Sequence, residues 1–166
     1  MTNKKFNIVI VGATGLVGKE ILSILLERNF PIAKLFLVAS KRSAGKKIKV
    51  ADTFCDVIAI EDFNWRQADY CFFSAGKKVS QIYVPLAKAA GCIVVDNTSC
   101  FRYQDSVPLV IPEINADQAL TNAVIANPNC STMQLLLAVA PIHKAFGIKR
   151  IIVSTYQAVS GAGRGA

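Results

Sequence analysis

Phe6-Asn-Ile-Val-Ile-Val-Gly-Ala-Thr-Gly-Leu-Val-Gly18 is the stretch that decides the fold. The run Phe6 to Val11 is apolar, rich in β-branched residues and broken at Gly12, the pattern of a strand buried on both faces of a parallel sheet. Beyond it Leu16, Val17, Ile21, Leu22, Leu25 and Leu26 recur at spacings of three and four, which predicts a helix from Gly15 to Arg28. A strand that runs through glycines into a helix start can hold a pyrophosphate, because free backbone N–H groups and the helix dipole face the anion. In this reading Gly12 permits the tight turn, Gly15 leaves room for the phosphates and Gly18 lets helix and strand approach closely. The spacing departs from GxGxxG, so the element order carries the reading, and a purely structural glycine turn is the alternative.

Outward from this unit, Lys34 to Val38, Tyr70 to Phe73 and Ile93 to Asn97 read as further strands, with a helix from Val79 to Ala90 between the last two. Strands alternating with helices predict an α/β fold, a Rossmann-like mostly parallel sheet with flanking helices. Lys41 to Asp56 is polar, basic and poorly periodic until Val50, and reads as a loop plus a short edge strand. Ala123 to Ala126 is a short strand and Asn127-Pro-Asn129 a turn. Ser131 and Thr132 then open a helix through Met133, Leu135, Leu136, Leu137 and Val139 that Pro141 kinks before an end near Gly147. Ile148 to Tyr156 reads as one more strand, and Ser160 to Ala166 closes no element, so the ending reads as severed.

The 166 residues suffice for one ordinary domain, and 52% apolar against 18% charged residues builds a core and excludes a disordered chain. Nineteen Lys and Arg against 11 Asp and Glu give a net charge of +8, which favours anionic partners. The basic residues have little aromatic interleaving, which speaks against nucleic acid. No uninterrupted apolar stretch approaches the roughly 18 residues of a membrane helix. The opening Met1 to Lys5, followed by a short apolar run and glycines, does not read as an export segment. Five Cys, at 55, 71, 92, 100 and 130, form neither a CxxC pair nor a disulfide ladder, the usage of a reducing cytoplasm. One His and dispersed Cys offer no ligand set with metal spacing.

Sites that select NAD place an acid after the second strand, where it accepts from the ribose hydroxyls. Here the position reads Ala39-Ser-Lys-Arg-Ser43, and Ser40, Arg42 and Ser43 suit a ribose phosphate, so NADP is expected over NAD. Lys46, Lys47 and Lys49 extend the positive field, as a solvated face also would. Cys130 lies at the turn into a helix, where N–H groups and the dipole favour a thiolate and an oxyanion; it is either a nucleophile or a buried Cys in a turn. The other four Cys sit in or beside apolar strand-like runs and read as structural. His143 is thirteen residues on, roughly 20 Å along a helix axis at about 1.5 Å per residue, too far to serve Cys130 as a base. Arg102 follows a strand end, where it either clamps a carboxylate or phosphate or pairs with Asp105 on the surface. Gln157 either orients a substrate or is a loop residue.

Taken together the motifs resemble aspartate-β-semialdehyde dehydrogenase. The stretches that carry the likeness are Gly12 to Gly18, Phe73-Ser-Ala-Gly76, Val95 to Ser99 with Phe101-Arg102, Pro108 to Asn115, Asn127-Pro-Asn-Cys-Ser-Thr132 and Val153 to Gly163. The resemblance implies reversible conversion of L-aspartate 4-semialdehyde, NADP and phosphate to 4-phospho-L-aspartate, in the biosynthesis of lysine, threonine and methionine. It implies that Cys130 is the nucleophile and passes through a thioester, that Asn129 and Gln157 position the reacting group, and that Arg102 contacts phosphate. Cofactor contacts would come from Gly12, Ala13, Thr14, Gly15, Leu16, Val17 and Gly18, from Ser74, Ala75 and Gly76, and from Ser40, Arg42 and Ser43 at the ribose phosphate. It divides the chain into an NADP-binding domain at 1–129 and, at 130–166, the truncated start of an α/β catalytic and dimerisation domain. A catalytic His, a substrate-binding Arg and most of the second domain would lie beyond these residues, in an enzyme that is a homodimer or homotetramer. The piece alone is expected to bind cofactor but turn over poorly. An N-acetyl-glutamyl-phosphate reductase-like enzyme and a noncatalytic nucleotide-binding module stay as alternatives. Thr98 and Cys100 depart from the usual small residues, with no functional change expected.

Overall fold

A computed structural model describes residues 4–157 of the chain. Strand β1, Phe6–Val11, is followed by α1, Leu16–Glu27, and β2, Ile32–Ala39. Then come the strands β3, Lys47–Val50, β4, Thr53–Ala59, and β5, Tyr70–Phe73. Helix α2, Lys77–Ala89, leads to β6, Ile93–Asp96; the short α3, Pro112–Asn115, precedes β7, Val124–Ala126, and α4 covers Cys130–Phe146. The strands form one sheet in the order β3-β4-β2-β1-β5-β6-β7, parallel except for the antiparallel β3–β4 pair. This is the Rossmann-like α/β sheet that the alternating elements imply.

Ile8, Val9, Ile10 and Val11 are fully buried, because β1 has strands on both edges and packed layers on both faces. Its side chains alternate. Ile8 and Ile10 pack with Leu22 and Leu25 of α1, whereas Val9 and Val11 pack with Phe73, Trp65 and Val84. The chain leaves β1 to one side for β2 and returns on its other side as β5, so a crevice opens at the carboxyl ends of β1 and β5.

Two expectations from the sequence are corrected. Lys41 to Asp56 holds the expected short edge strand, β3, but as one arm of a hairpin whose other arm, β4, pairs with β3 through Thr53 to Asp56 and with β2 through Val57 to Ala59. Its turn uses Ala51 at φ +50°, a left-handed conformation without the usual Asn-Gly or Asp-Gly signal. Ile148 to Tyr156 forms no strand, and Ile152 and Tyr156 are almost wholly exposed. Val110 N–H donates to Ala126 O at 3.1 Å and Ala126 N–H to Pro108 O at 2.9 Å, so Pro108 to Val110 covers the outer side of β7. A β-rich run with no ladder to join stays irregular. Helix α4 continues through Pro141, buries none of its residues and ends at Gly147.

Candidate active site

The glycine turn is anchored from two directions. Gly12 N–H donates to Val38 O at 2.8 Å, and the Ser74 hydroxyl donates to Val11 O at 2.9 Å from the end of β5. A Cβ on Gly12, which sits at φ +89°, would lie 2.8 Å from Ser74 Oγ and 3.0 Å from Ala75 N. On Gly18 it would lie 2.3 Å from Gly12 O, so the absence of a side chain there is what lets α1 dock on the turn. Gly15 caps α1 without a side chain and no acid occupies the first helical turn, which leaves its N–H donors for an anion. Ala13 is buried, Thr14 half-buried, and Leu16 and Val17 are exposed beside the crevice. Ala75 and Gly76, also exposed, lead into α2 on its other side. These residues fit a dinucleotide.

At the end of β2 the chain makes a single 3-10 turn over Lys41–Ser43, closed by Ser43 N–H to Ser40 O at 2.7 Å. Ser40, Lys41 and Arg42 are exposed, whereas Ser43 is buried.

Cys130 is the first residue of α4 and is the one Cys classed as exposed; Cys71 and Cys92 are buried, Cys55 and Cys100 half-buried. Asn129 caps the helix, its Oδ1 accepting from Ser131 N–H at 3.0 Å and from the Ser131 hydroxyl at 2.6 Å. The same oxygen lies 3.9 Å from Cys130 Sγ, and Asn129 Nδ2 donates to Gln157 Oε1 at 3.4 Å. Residues 28 apart in sequence thus meet beside the thiol. His143 is at the far end of the same 17-residue helix, where its Nδ1 accepts from Ile148 N–H at 3.1 Å.

Arg102 turns to backbone carbonyls and not to Asp105. Its Nε donates to Asn127 O and its Nη2 to Asn97 O, both at 2.9 Å, so the guanidinium bridges the ends of β6 and β7. Asn127 opens the turn that ends in Cys130, and its side chain also donates to Asn97 Oδ1. The bridge ties Arg102 to the cysteine's own turn.

Sequence reasoning missed what lies beneath. Asp96 is fully buried, and its Oδ1 accepts from the Ser80 hydroxyl at 2.9 Å and from Thr98 N–H at 3.0 Å. Its Oδ2 accepts from the Thr98 hydroxyl at 2.9 Å. Nothing in the local pattern separates this carboxylate from a solvated loop acid at a strand end. Burial pushes the nearby Cys100 thiol up, as does the charge of Asp96, with Lys77 opposing. Among the described residues no group of three or more His, Cys, Asp or Glu could hold a metal, and no helix is long and apolar enough to cross a membrane.

Comparison with known proteins decides the family. Residues 7–122 match the model for the semialdehyde dehydrogenase NAD binding domain, and residues 139–166 match that for the semialdehyde dehydrogenase dimerisation domain. The chain belongs to the aspartate-semialdehyde dehydrogenase family. It is 52% identical over an alignment 167 positions long to the aspartate-semialdehyde dehydrogenase of Shewanella sp. (strain DB6705), covering 99% of this chain and 49% of that one. It is 48% identical to the crystal structure of aspartate semialdehyde dehydrogenase II from Vibrio cholerae, with a TM-score of 0.92 over 98% of this chain and 49% of that one. The structure of the Vibrio enzyme complexed with ASA superposes with a TM-score of 0.85 at 46% identity, over 89% of this chain and 49% of that chain. The chain spans about half the length of these relatives. As a member of this family it carries a dinucleotide-binding sheet, with the glycine turn at the position the fold reserves for the pyrophosphate.

Proposed function

We propose that the polypeptide carries out the phosphorylating oxidation of L-aspartate 4-semialdehyde to 4-phospho-L-aspartate with NADP, and the reverse reduction, through a thioester on Cys130. Residues 1–129 bind the cofactor in this reading, and Cys130 begins the catalytic and dimerisation domain. What carries the proposal is the placement of Cys130, an exposed thiol at a helix start, at the carboxyl end of the parallel strands, the end at which the glycine turn also lies.

Cys130 Sγ adds to the aldehyde carbon, and the first-turn N–H groups of α4 offer donors to the oxyanion that forms. Asn129 and Gln157, joined by a hydrogen bond, hold the reacting group beside the sulfur. A bound dinucleotide supplies the hydride acceptor that turns the adduct into a thioester. Phosphate then attacks the thioester carbon and releases the thiolate, with the acyl phosphate as product. Arg102, whose Nε and Nη2 are engaged by carbonyls, presents its remaining N–H donors to that phosphate. Gly12 to Gly18 and Ser74 to Gly76 receive the pyrophosphate side of the cofactor. Exposed Ser40 and Arg42 suit the ribose phosphate better than the buried Ser43 does.

Phosphate-dependent NADP reduction by a polypeptide continued to the relatives' length, by residues 1–166 and by a Cys130→Ala variant of the longer form tests the reading. Turnover is expected in the longer wild type alone. Turnover that survives the loss of Cys130 overturns it.

A further inference from the structure

We infer that Asp96, with Ser80 and Thr98, is a positioning device that sets where Arg102 meets the phosphate; the inference rests on the reading of Arg102 given above. The observation is a fully buried carboxylate at the end of β6 that accepts three hydrogen bonds, from groups on two different elements. Ser80 comes from α2 and Thr98 from the loop after β6, so the carboxylate fixes that loop against the helix. Thr98 is buried, and its Oγ1 accepts in turn from Cys100 N–H at 3.2 Å, which carries the constraint two residues nearer Arg102. On the other side Asp96 O accepts from Asn127 N–H at 2.8 Å, so the same residue registers the turn that leads to Cys130. Arg102 then closes the frame by donating to Asn97 O and Asn127 O. One edge of its guanidinium, Nε and Nη2, is held by backbone whose position the Asp96 group determines.

A buried carboxylate costs desolvation and persists when its lone pairs are filled. Here two of the three donors come from Thr98, in the segment carrying Arg102. Thr98 is therefore the residue through which the device acts, and its hydroxyl, more than its bulk, is what matters. Thr98→Val keeps the shape and removes the bonds to Asp96 Oδ2 and from Cys100 N–H. Thr98→Ser keeps both.

The test uses the full-length polypeptide and measures KM for inorganic phosphate, kcat, NADP affinity and thermal unfolding for the wild type, Thr98→Val and Thr98→Ser. The expected result is a rise of about 10- to 100-fold in phosphate KM for Thr98→Val, the scale of a group displaced by roughly 1 Å, with NADP affinity within twofold and recovery in Thr98→Ser. A Thr98→Val enzyme whose melting temperature falls while the phosphate KM of its folded fraction stays within twofold of wild type overturns the proposal. So does a Thr98→Ser enzyme that behaves as Thr98→Val does. Wild-type turnover that shows no dependence on phosphate removes the reading of Arg102 itself, and is told apart from either failure because it needs no variant.

Discussion

Five thiols in one chain occupy three kinds of environment, and their chemistry follows from burial more than from sequence. Cys71 is fully buried on β5, and the neighbouring Cys92 thiol, together with burial, pushes its own thiol far above the ordinary range. Cys92 donates to Trp65 O at 3.2 Å or Ala68 O at 3.3 Å from inside the same core. Titration of the native chain with an aromatic disulfide reagent should therefore show one fast thiol, removed by Cys130→Ser, while Cys71 and Cys92 react only after denaturation. The raised Cys71 thiol also gives stability a pH dependence of fixed sign. Above the ordinary thiol range of about 8.5 the unfolded chain releases this proton and the folded chain keeps it, so the stability present at neutral pH is lost as pH rises. Denaturant unfolding across that alkaline window should show a shallower decline in Cys71→Ala than in wild type. The contrast between Cys130 and the other four was legible, because only Cys130 follows a turn signal at a helix start. The Asp96 group was not, since a lone acid at a strand end gives no sign of the hydroxyls that reach it from residues 80 and 98.

At the scale of elements, the unit β1, glycine turn and α1 was readable because each signal agrees with its neighbour: a β-branched run, a glycine stop and a helical apolar stripe. The β3–β4 hairpin was hidden because its turn has Ala51 where Gly or Asn would announce it, and because β4 changes partner halfway along. The apolar run Ile148 to Tyr156 misled in the opposite way, since propensity without a pairing partner makes no strand. The glycine unit also makes a prediction that separates docking from ligand binding. A Cβ at Gly18 would sit 2.3 Å from Gly12 O and 2.8 Å from Gly12 C, backbone that cannot yield without moving α1 from the sheet. Gly18→Ala should lower unfolding free energy by about 1–3 kcal/mol in urea titrations, the usual cost of overpacking. A Cβ at Gly15 meets the same oxygen at 3.2 Å and nothing else within 4 Å. Gly15→Ala should cost less stability, and should show its effect as weaker dinucleotide binding in calorimetry.

Across the whole molecule, the charge of +8 is not spent on holding the fold together. The ion pair found among the described residues joins Lys47 and Asp56 at 3.7 Å, with side chains 69% and 68% exposed, a geometry that adds little stability in water. Among the described residues the basic side chains other than Arg102 are exposed, Lys41 and Arg42 at the carboxyl end of β2, next to the crevice beside β1. Charge placed there acts on an approaching anion through both the general field and direct bonds, and the two respond differently to salt and to mutation. The field is screened by ionic strength for any dinucleotide. A guanidinium bonded to the ribose phosphate adds a contribution that NADP receives and NAD does not. Raising salt should therefore weaken NADP binding more steeply than NAD binding in the wild type. Arg42→Ala should raise the Kd for NADP by about 10- to 100-fold, the scale of one charge-assisted hydrogen bond, leave that for NAD within twofold, and bring the two salt dependences together. Titration calorimetry at two ionic strengths checks all three. Equal loss of NAD and NADP affinity in Arg42→Ala would assign the basic turn to the general field alone, and the preference for NADP would then have to come from another part of the crevice.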